Sequence, residues 1–540
     1  MTRCGELIIR TLEAHGVDTV FGIPGNHTLE LYRGLTDSPI RHITPRHEQG
    51  AAFMADGYAR ATGRPGVCLL ISGPGLTNAA TPIAQARADS VPLLVLTSVA
   101  ATNQLGRQQG RLHELPDQRG LASRLCLASH TLLHVDDVPR VIGQAFESFA
   151  RNRPGPIHIE VPLDVLATAA DHVALTIAPY ADLRADLRAR NASRIAEAAQ
   201  RLDRASRPLL VLGGGAVSAA ERLPKLAEHL DAPVLNTVNA KGLLPPEHPL
   251  AVHGSPSLQC LRNALADADV VLALGTEFGE TDYDLLMSGP LEIGGALIRI
   301  DIDAEQLTRN VTPTIGIEAD ARWATNALLD VLSRLDKGGA DRAATLRREV
   351  AEEPHVHPEF AALFAAIDAA LPEAILVGDS TRPTYYASWQ WVARQPRSYF
   401  HSVSGFGTLG YALPAALGAK AACPGRPVVA LIGDGGIQFS LPELASGVAA
   451  ELPVAVILWD NDGYQEIRNS MEGVGIPPMG TDLGRPDFLK IAEGYGCHAR
   501  HVTDLDALSE GLRAAAGASV PTVLLVREED FITTPSGQWY

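Results

Sequence analysis

The stretch PVVALIGDGGIQFSLPELASGVAAELPVAVILWDNDGYQEIRN, residues 427–469, decides the fold. An apolar run, Val428 to Ile432, ends in Gly433-Asp434-Gly435-Gly436. A helical stretch from about Leu441 to Ala450 then leads into a second apolar run, Val454 to Trp459. The pattern predicts a strand-loop-helix-strand unit. A right-handed crossover makes the two strands parallel, so Gly433–Gly436 and Asp460–Tyr464 emerge together beyond their carboxyl ends, where open α/β sheets bind ligands.

Into that crevice Asp434 offers a carboxylate oxygen, Asn461 an amide oxygen and Gly463 a backbone carbonyl. Hard oxygens that leave an octahedron incomplete suit Mg²⁺, which keeps its remaining positions for water and phosphate oxygens. Glycines at 433, 435 and 436 let backbone N–H groups approach a diphosphate, with the dipole of the following helix adding to the attraction. Taken singly, a Gly-Asp turn or an Asn-Asp-Gly turn is ordinary turn chemistry. Paired at matching strand ends, the two turns favour a metal and diphosphate site. An EF-hand reading of Asp460-x-Asp462-Gly463 fails, because strands flank it and the final Glu ligand is missing.

These residues carry a resemblance. GDG, followed 27 positions after Asp434 by Asn461 and then Gly463, resembles the thiamin-diphosphate (ThDP) signature of the pyruvate decarboxylase and acetolactate synthase superfamily. The resemblance implies that Asp434, Asn461 and the Gly463 carbonyl bind Mg²⁺. It further implies that Gly435, Gly436 and Tyr464 contact the cofactor. Asp460 stands where the family usually has Asn, and Gln465 replaces the Gly usual after Tyr464.

Bulk properties agree with a soluble enzyme. At 540 residues the chain exceeds one core, and two to four domains are expected. It is 46% hydrophobic and 20% charged, with no run of eighteen apolar residues, which excludes membrane and disordered classes. A formal net charge of -17 argues against nucleic acid and mildly suits cationic substrates. The six cysteines are scattered without a Cys-x-x-Cys pair and read as reduced structural thiols. The N-terminal stretch reads as an amphipathic helix without a signal peptide's apolar core, so a cytoplasmic location is expected.

Three α/β domains, each a doubly wound parallel sheet, are expected: a pyrimidine-binding domain over 1–170, a central Rossmann-like domain over 191–335 and a pyrophosphate-binding domain over 356–530. In the first, a helix around Glu6–His15 precedes strands at Thr19–Phe21, Arg41–Thr44, Val67–Ile71, Leu93–Leu96 and Ile157–Val161. The apolar-poor stretch 171–190 reads as a linker. The central domain has strands at Pro208–Leu212, Val270–Leu274 and Ala296–Ile300. Its Gly213-Gly214-Gly215 loop lacks the third fingerprint glycine, Ser218 standing there, and the acidic residue about twenty positions on. Acetolactate synthases hold FAD in this domain, the simple decarboxylases leave it empty, and the empty reading is favoured here. A second charged linker is expected over 336–357. No Walker A sequence occurs.

RHEQGAAFMADGYARATGRPGV, residues 46–67, places Glu48 in the first turn of a helix, where a carboxylate ordinarily compensates the dipole. It closely resembles the superfamily's pyrimidine-domain motif, which implies that Glu48 hydrogen-bonds N1′ of the aminopyrimidine. Pro24 and Gly25, in the turn after the first strand, and Ser380 and Thr381, after the strand Ile375–Val377, are implied cofactor contacts. SGFGTLGYALPAALGAK, residues 404–420, resembles the segment that bends the cofactor, with Leu409 beneath it and the Gly407 carbonyl receiving its amino group. Read on its own, that segment is equally a Gly-rich turn entering a helix. Since Glu48 and Asp434 belong to different domains, the cofactor bridges them. In this superfamily those domains come from different subunits, which implies a homodimer at minimum, commonly a homotetramer, with active sites between subunits.

The resemblance implies a small-molecule 2-oxo acid substrate that loses CO2. Asn26, His27 and His113 stand where relatives place polar residues at the reacting centre, and each histidine is a candidate proton donor. Ile71 stands where benzoylformate decarboxylases carry a catalytic His. Ile467 and Ser470 are expected to line the substrate channel, and Ser470 lacks the bulk of an aromatic-acid enzyme. The tryptophan that anabolic acetolactate synthases carry on this helix is missing. Within the superfamily the chain resembles the 5-guanidino-2-oxopentanoate (2-ketoarginine) decarboxylases, on GIPGNHTLELYRGL, RLHELPDQRG, GTEFGETDYD and SMEGVGIPPMGTDL. A guanidinium tail needs a carboxylate partner, with Glu114, Asp117, Glu466 and Glu472 as candidates. An acetolactate synthase-type carboligase acting on pyruvate and an inactive or regulatory paralogue are the alternatives.

Overall fold

The computed structural model describes residues 2–175 and 185–532. The linker expected over 171–190 falls partly outside them, at 176–184, and its last residues are not linker but the start of a 19-residue helix, Ala185–Asp203. Three all-parallel sheets carry the fold. The first comprises β1 (Thr19–Gly22), β2 (Arg41–Ile43), β3 (Gly66–Leu70), β4 (Leu93–Val99), β5 (Ala128–Thr131) and β6 (Pro156–Pro162), in the order β2-β1-β3-β4-β6-β5. The second comprises β7 (Pro208–Leu212), β8 (Val234–Asn236), β9 (Val270–Leu274), β10 (Ala296–Asp301) and β11 (Ile315–Glu318), in the order β11-β10-β9-β7-β8. The third comprises β12 (Ile375–Gly378), β13 (Tyr399–His401), β14 (Val428–Gly433), β15 (Ala455–Asp460), β16 (His498–Val502) and β17 (Thr522–Arg527), in the order β13-β12-β14-β15-β17-β16.

The first and third sheets share one topology: adding eleven to every strand number of the first order yields the third. The central strands β3, β4, β6, β14 and β15 are buried along their whole length, because parallel sheets covered by helices on both faces bury every side chain. The expected crossover unit is present. β14 pairs in parallel with β15, Gly433 opposite Trp459, so both carboxyl-end loops open on the same crevice. The helix between them is shorter than its sequence pattern, Glu443–Ala449, and the glycines of 434–437 form a separate single turn.

The duplicated domains meet through equivalent helices. Glu48–Thr62 starts at His47, whose ring accepts from the Gln49 N–H, and stops at Gly63, whose φ of 74° only a glycine adopts without strain. It packs face to face on Ala412–Ala422. An added methyl at Gly57 would collide with the Ala415 carbonyl oxygen, and one at Gly418 with the Met54 carbonyl oxygen. The contact therefore depends on bare backbone at both crossings. Beside it Arg60 is buried between Asp56 (2.7 Å) and Asp89 (2.5 Å), and the Tyr411 hydroxyl donates to Asp56 at 2.6 Å. Gly418→Ala is expected to cost about 1–3 kcal/mol or more by overpacking, read as a lower melting temperature of the whole protein.

The second expected linker is also structured. The stretch read as a charged linker over 336–357 contains a 14-residue helix, Gly339–Glu352, with Ala343 and Val350 buried in the core beneath it. Only a narrow stripe of this helix faces inward, so its sequence is mostly charged and polar. In the central domain, Gly215 N–H donates to the Gly275 carbonyl at 3.0 Å, so the glycine loop is tied to the end of β9.

Candidate active site

Asp434 follows β14 and Asn461 follows β15, which sets their side chains beside each other. Asp434 is 2% exposed, and its Oδ2 accepts the Gly463 N–H at 2.7 Å. Gly463 has φ 103°, and an added Cβ would collide with the Thr481 carbonyl oxygen, so only glycine makes this turn. The side-chain amide of Asn461 lies 3.3 Å from Asp434 Oδ1 and 3.2 Å from the Gly463 carbonyl oxygen on one side. On the other it lies 3.5 Å from Glu528 Oε2. With the amide nitrogen toward Glu528, three oxygens from Asp434, Asn461 and Gly463 converge with no donor among them. Neighbouring ligands of an octahedral Mg²⁺ with bonds of about 2.1 Å stand about 3 Å apart, so this donor set fits the ion. Burial pushes the Asp434 carboxyl up to about 6; the Gly463 N–H opposes this and the charge of Asp460 adds to it. A cation removes that penalty. Asp460 itself is buried and lies 3.8 Å from Arg485, which also reaches Asp462 at 3.1 Å.

Gly435 and Gly436 have close neighbours. A Cβ at Gly435 would come within 2.7 Å of the Tyr464 ring, and one at Gly436 within 2.9 Å of Asp379 Oδ1. Asp379, in the strand-end loop after β12 and without a role assigned from sequence, is fully buried. Its carboxylate accepts from the N–H groups of Ser380 (2.9 Å), Gly410 (3.2 Å) and Ala412 (3.0 Å). It thereby fastens the turn holding Gly407 and Leu409 to the strand end holding Ser380 and Thr381. Ser402 Oγ donates to the Thr408 carbonyl at 2.7 Å, and positive φ at Gly405, Gly407 and Gly410 turns the chain tightly around it. Thr381 lies against Gly433.

In the first domain, Gly25 sits against Ile71, leaving no room for a Cβ, and exchanges hydrogen bonds with Thr28 Oγ1. Asn26 is exposed beside it. His27 Nδ1 is 2.7 Å from Ser72 Oγ, and its ring meets that of His113 edge to face at 5.0 Å. The two histidines 86 positions apart are thus brought together. Burial, and then the charge of His113, lowers the His27 pKa, favouring the neutral ring. His113 has φ 58°, and its Nδ1 is buried with no hydrogen-bond partner among the described residues. Glu48 opens its helix with Oε2 accepting from Asn78 Nδ2 at 2.9 Å. From the third domain, Glu443 accepts the N–H groups of Arg46 and His47, each at 3.1 Å, and so anchors the entry to that helix.

The candidate carboxylates for a cationic tail now differ. Glu114 accepts the N–H groups of Gln109 and Arg111 within its own loop. Asp117 caps the helix Gln118–Leu125 through the Gly120 N–H at 2.7 Å. Glu466 pairs with Arg382 at 2.7 Å. Glu472 is exposed on the helix Gln465–Gly473, with no side-chain bond to the described residues. On the same helix, Ile467 is exposed, and Ser470 Oγ donates to the Glu466 carbonyl at 2.8 Å. No helix among the described residues is long and apolar enough to cross a membrane.

Comparison with known proteins agrees with this arrangement. The family described as thiamine pyrophosphate enzyme matches in three parts: the N-terminal TPP binding domain at residues 2–121, the central domain at 195–329 and the C-terminal TPP binding domain at 379–526. The probable 2-ketoarginine decarboxylase AruI of Pseudomonas aeruginosa is 43% identical over 533 residues, 97% of this chain and 93% of that protein. The probable acetolactate synthase large subunit of Methanocaldococcus jannaschii is 33% identical over 96% of this chain and 90% of its own length. The acetolactate synthase isozyme 1 large subunit of Escherichia coli K12 is 31% identical over 97% and 94%. Two strand-end crevices of one shared topology, Asp434, Asn461 and Gly463 gathered at one of them, and these matches over the length of the chain lead to one conclusion: the chain belongs to the thiamine pyrophosphate enzyme family.

Proposed function

We propose that the protein catalyses ThDP- and Mg²⁺-dependent, non-oxidative decarboxylation of a 2-oxo acid to an aldehyde and CO2, its substrate being 5-guanidino-2-oxopentanoate and its product 4-guanidinobutanal. The observation that carries this reading is the 43% identity over 97% of the chain to a protein named as a probable 2-ketoarginine decarboxylase. Asp434, Asn461 Oδ1 and the Gly463 carbonyl would hold Mg²⁺, and the N–H groups of Gly435 and Gly436 would meet the diphosphate. Bound ThDP supplies a carbon nucleophile and an electron sink for the bond that releases CO2. Glu48 Oε1, unbonded among the described residues, would hold the proton at N1′ of the aminopyrimidine. His27 and His113 form a half-buried pair that would supply the proton to the carbon that loses CO2. Glu472, whose carboxylate is unspent among the described residues, is the partner for the guanidinium.

The domain limits 1–170, 191–335 and 356–530 belong to this proposal, as does a cytoplasmic homodimer or homotetramer with active sites between subunits. Phe406 and Phe439, each 54% exposed beside the third-sheet crevice, support cover by a second copy. The test is CO2 release from 5-guanidino-2-oxopentanoate, with pyruvate in parallel and the organic product identified. Release from the guanidino acid alone, dependent on ThDP and Mg²⁺, is the expected result. The acetolactate synthase relatives support a second reading, a carboligase, and acetolactate formed from pyruvate would establish it in place of the first. No turnover of either acid would favour an inactive or regulatory paralogue.

A further inference from the structure

The Asn461 amide stands between two groups that compete for it. On one side are Asp434 Oδ1 and the Gly463 carbonyl, on the other the carboxylate of Glu528. All three are acceptors. In a protein without a cation the NH2 gains by facing either side, but a cation among the first pair needs oxygen there. Only an acceptor on the far side then satisfies the nitrogen. Glu528 is that acceptor, and its place is fixed independently of Asn461. It follows β17 directly, its Oε1 is ion-paired with Arg382, and its Oε2 accepts Trp459 Nε1 at 2.7 Å. Arg382 is in turn held by Glu466 at 2.7 Å. Burial raises the Glu528 pKa and Arg382 counters it.

We propose that Glu528 is a positioning residue that selects the metal-binding orientation of Asn461, with Arg382 and Trp459 holding it in place. This rests on the assignment of Asp434, Asn461 and Gly463 as the Mg²⁺ ligands and adds a residue to it. The physical difference from a merely structural carboxylate is directional. In Glu528→Gln the amide oxygen of the new side chain is drawn to Arg382, and its NH2 takes the place of Oε2, facing Asn461 and giving up the bond from Trp459 Nε1, a loss that the second background below shares. That NH2 attracts Asn461 Oδ1, the atom the cation requires.

The test titrates Mg²⁺ against ThDP retained by the whole protein after gel filtration, with Mn²⁺ binding followed by electron paramagnetic resonance as a second readout. Glu528→Gln is expected to raise the half-saturating Mg²⁺ concentration by about ten- to a hundred-fold, the range for residues that orient metal ligands. The same substitution in an Asn461→Asp background, where the side chain presents oxygen both ways, is expected to cause no loss. An equal loss in both backgrounds makes Glu528 structural only, and an unchanged titration in the first also overturns the proposal. Should Glu528→Gln not fold, Glu528→Asp keeps the charge beside Arg382 while withdrawing it from Asn461, and the same two backgrounds decide. Asp434→Ala, run alongside, separates the readings. If it too leaves the titration unchanged, the metal site itself is misassigned.

Discussion

Asp434→Ala is expected to abolish Mg²⁺-dependent retention of ThDP. The converging oxygens comprise one carboxylate, one amide and one backbone carbonyl, so the substitution removes the only formal charge. Among the described residues no cluster of three or more His, Cys, Asp or Glu side chains offers a replacement. It also removes the acceptor of the Gly463 N–H, which holds that carbonyl in place in a turn only glycine makes. Residues that merely orient a metal ligand cost about 10–100-fold in affinity, so losing the charged ligand is expected to exceed about 100-fold. The buried carboxylate is costly without its ion, so the protein without cofactor is not expected to lose stability with it. Circular dichroism and the melting temperature of the cofactor-free protein check that. Wild-type dependence of ThDP retention on Mg²⁺ in this variant would remove Asp434 from the site.

How much of this was legible in the chain depends on burial. β14 and β15 lie in the middle of their sheet with all residues buried, so Val428–Gly433 and Ala455–Asp460 read as uninterrupted apolar runs. At the sheet edge, β16, His498–Val502, has two exposed and two half-buried positions and three polar residues, and offers no such signal. The two turns bearing Asp434 and Asn461 could be paired in advance because one crossover connects them. Glu528, Arg382 and Asp379 could not. Arg382 meets Glu466 across 84 positions and Glu528 across 146, and the partners of Asp379 are backbone N–H groups that the fold delivers.

The same reasoning explains why the four candidate carboxylates could not be ranked. A charged residue's role depends on what its oxygens already accept. Three of the four are occupied by a backbone turn, a helix start and an arginine, none of them visible as local pattern. His27 and His113 were placed together by resemblance, and the Ser72 hydroxyl that orients His27 needed the structure.

Glu48→Gln is expected to separate chemistry from binding. Glu48 lies in the first domain, at the start of its helix, and its one side-chain bond to the described residues is from Asn78. Gln retains an oxygen for that bond, so the fold is expected to persist with little change in melting temperature. The Mg²⁺ ligands and the glycines of the Asp434 turn are untouched, so ThDP retention should stay within a few-fold of the wild type. What the substitution removes is a carboxylate able to hold a proton at N1′ of the aminopyrimidine, and turnover is expected to fall by about 10²–10⁴-fold, the usual worth of a positioned acid or base. Exchange of the ThDP C2 hydrogen with deuterated water, followed by nuclear magnetic resonance on quenched samples, should slow in parallel. If turnover is lost but exchange stays fast, Glu48 acts after the cofactor is activated. If turnover matches the wild type, Glu48 is only a helix-start carboxylate, and the resemblance that singled it out does not extend to its role.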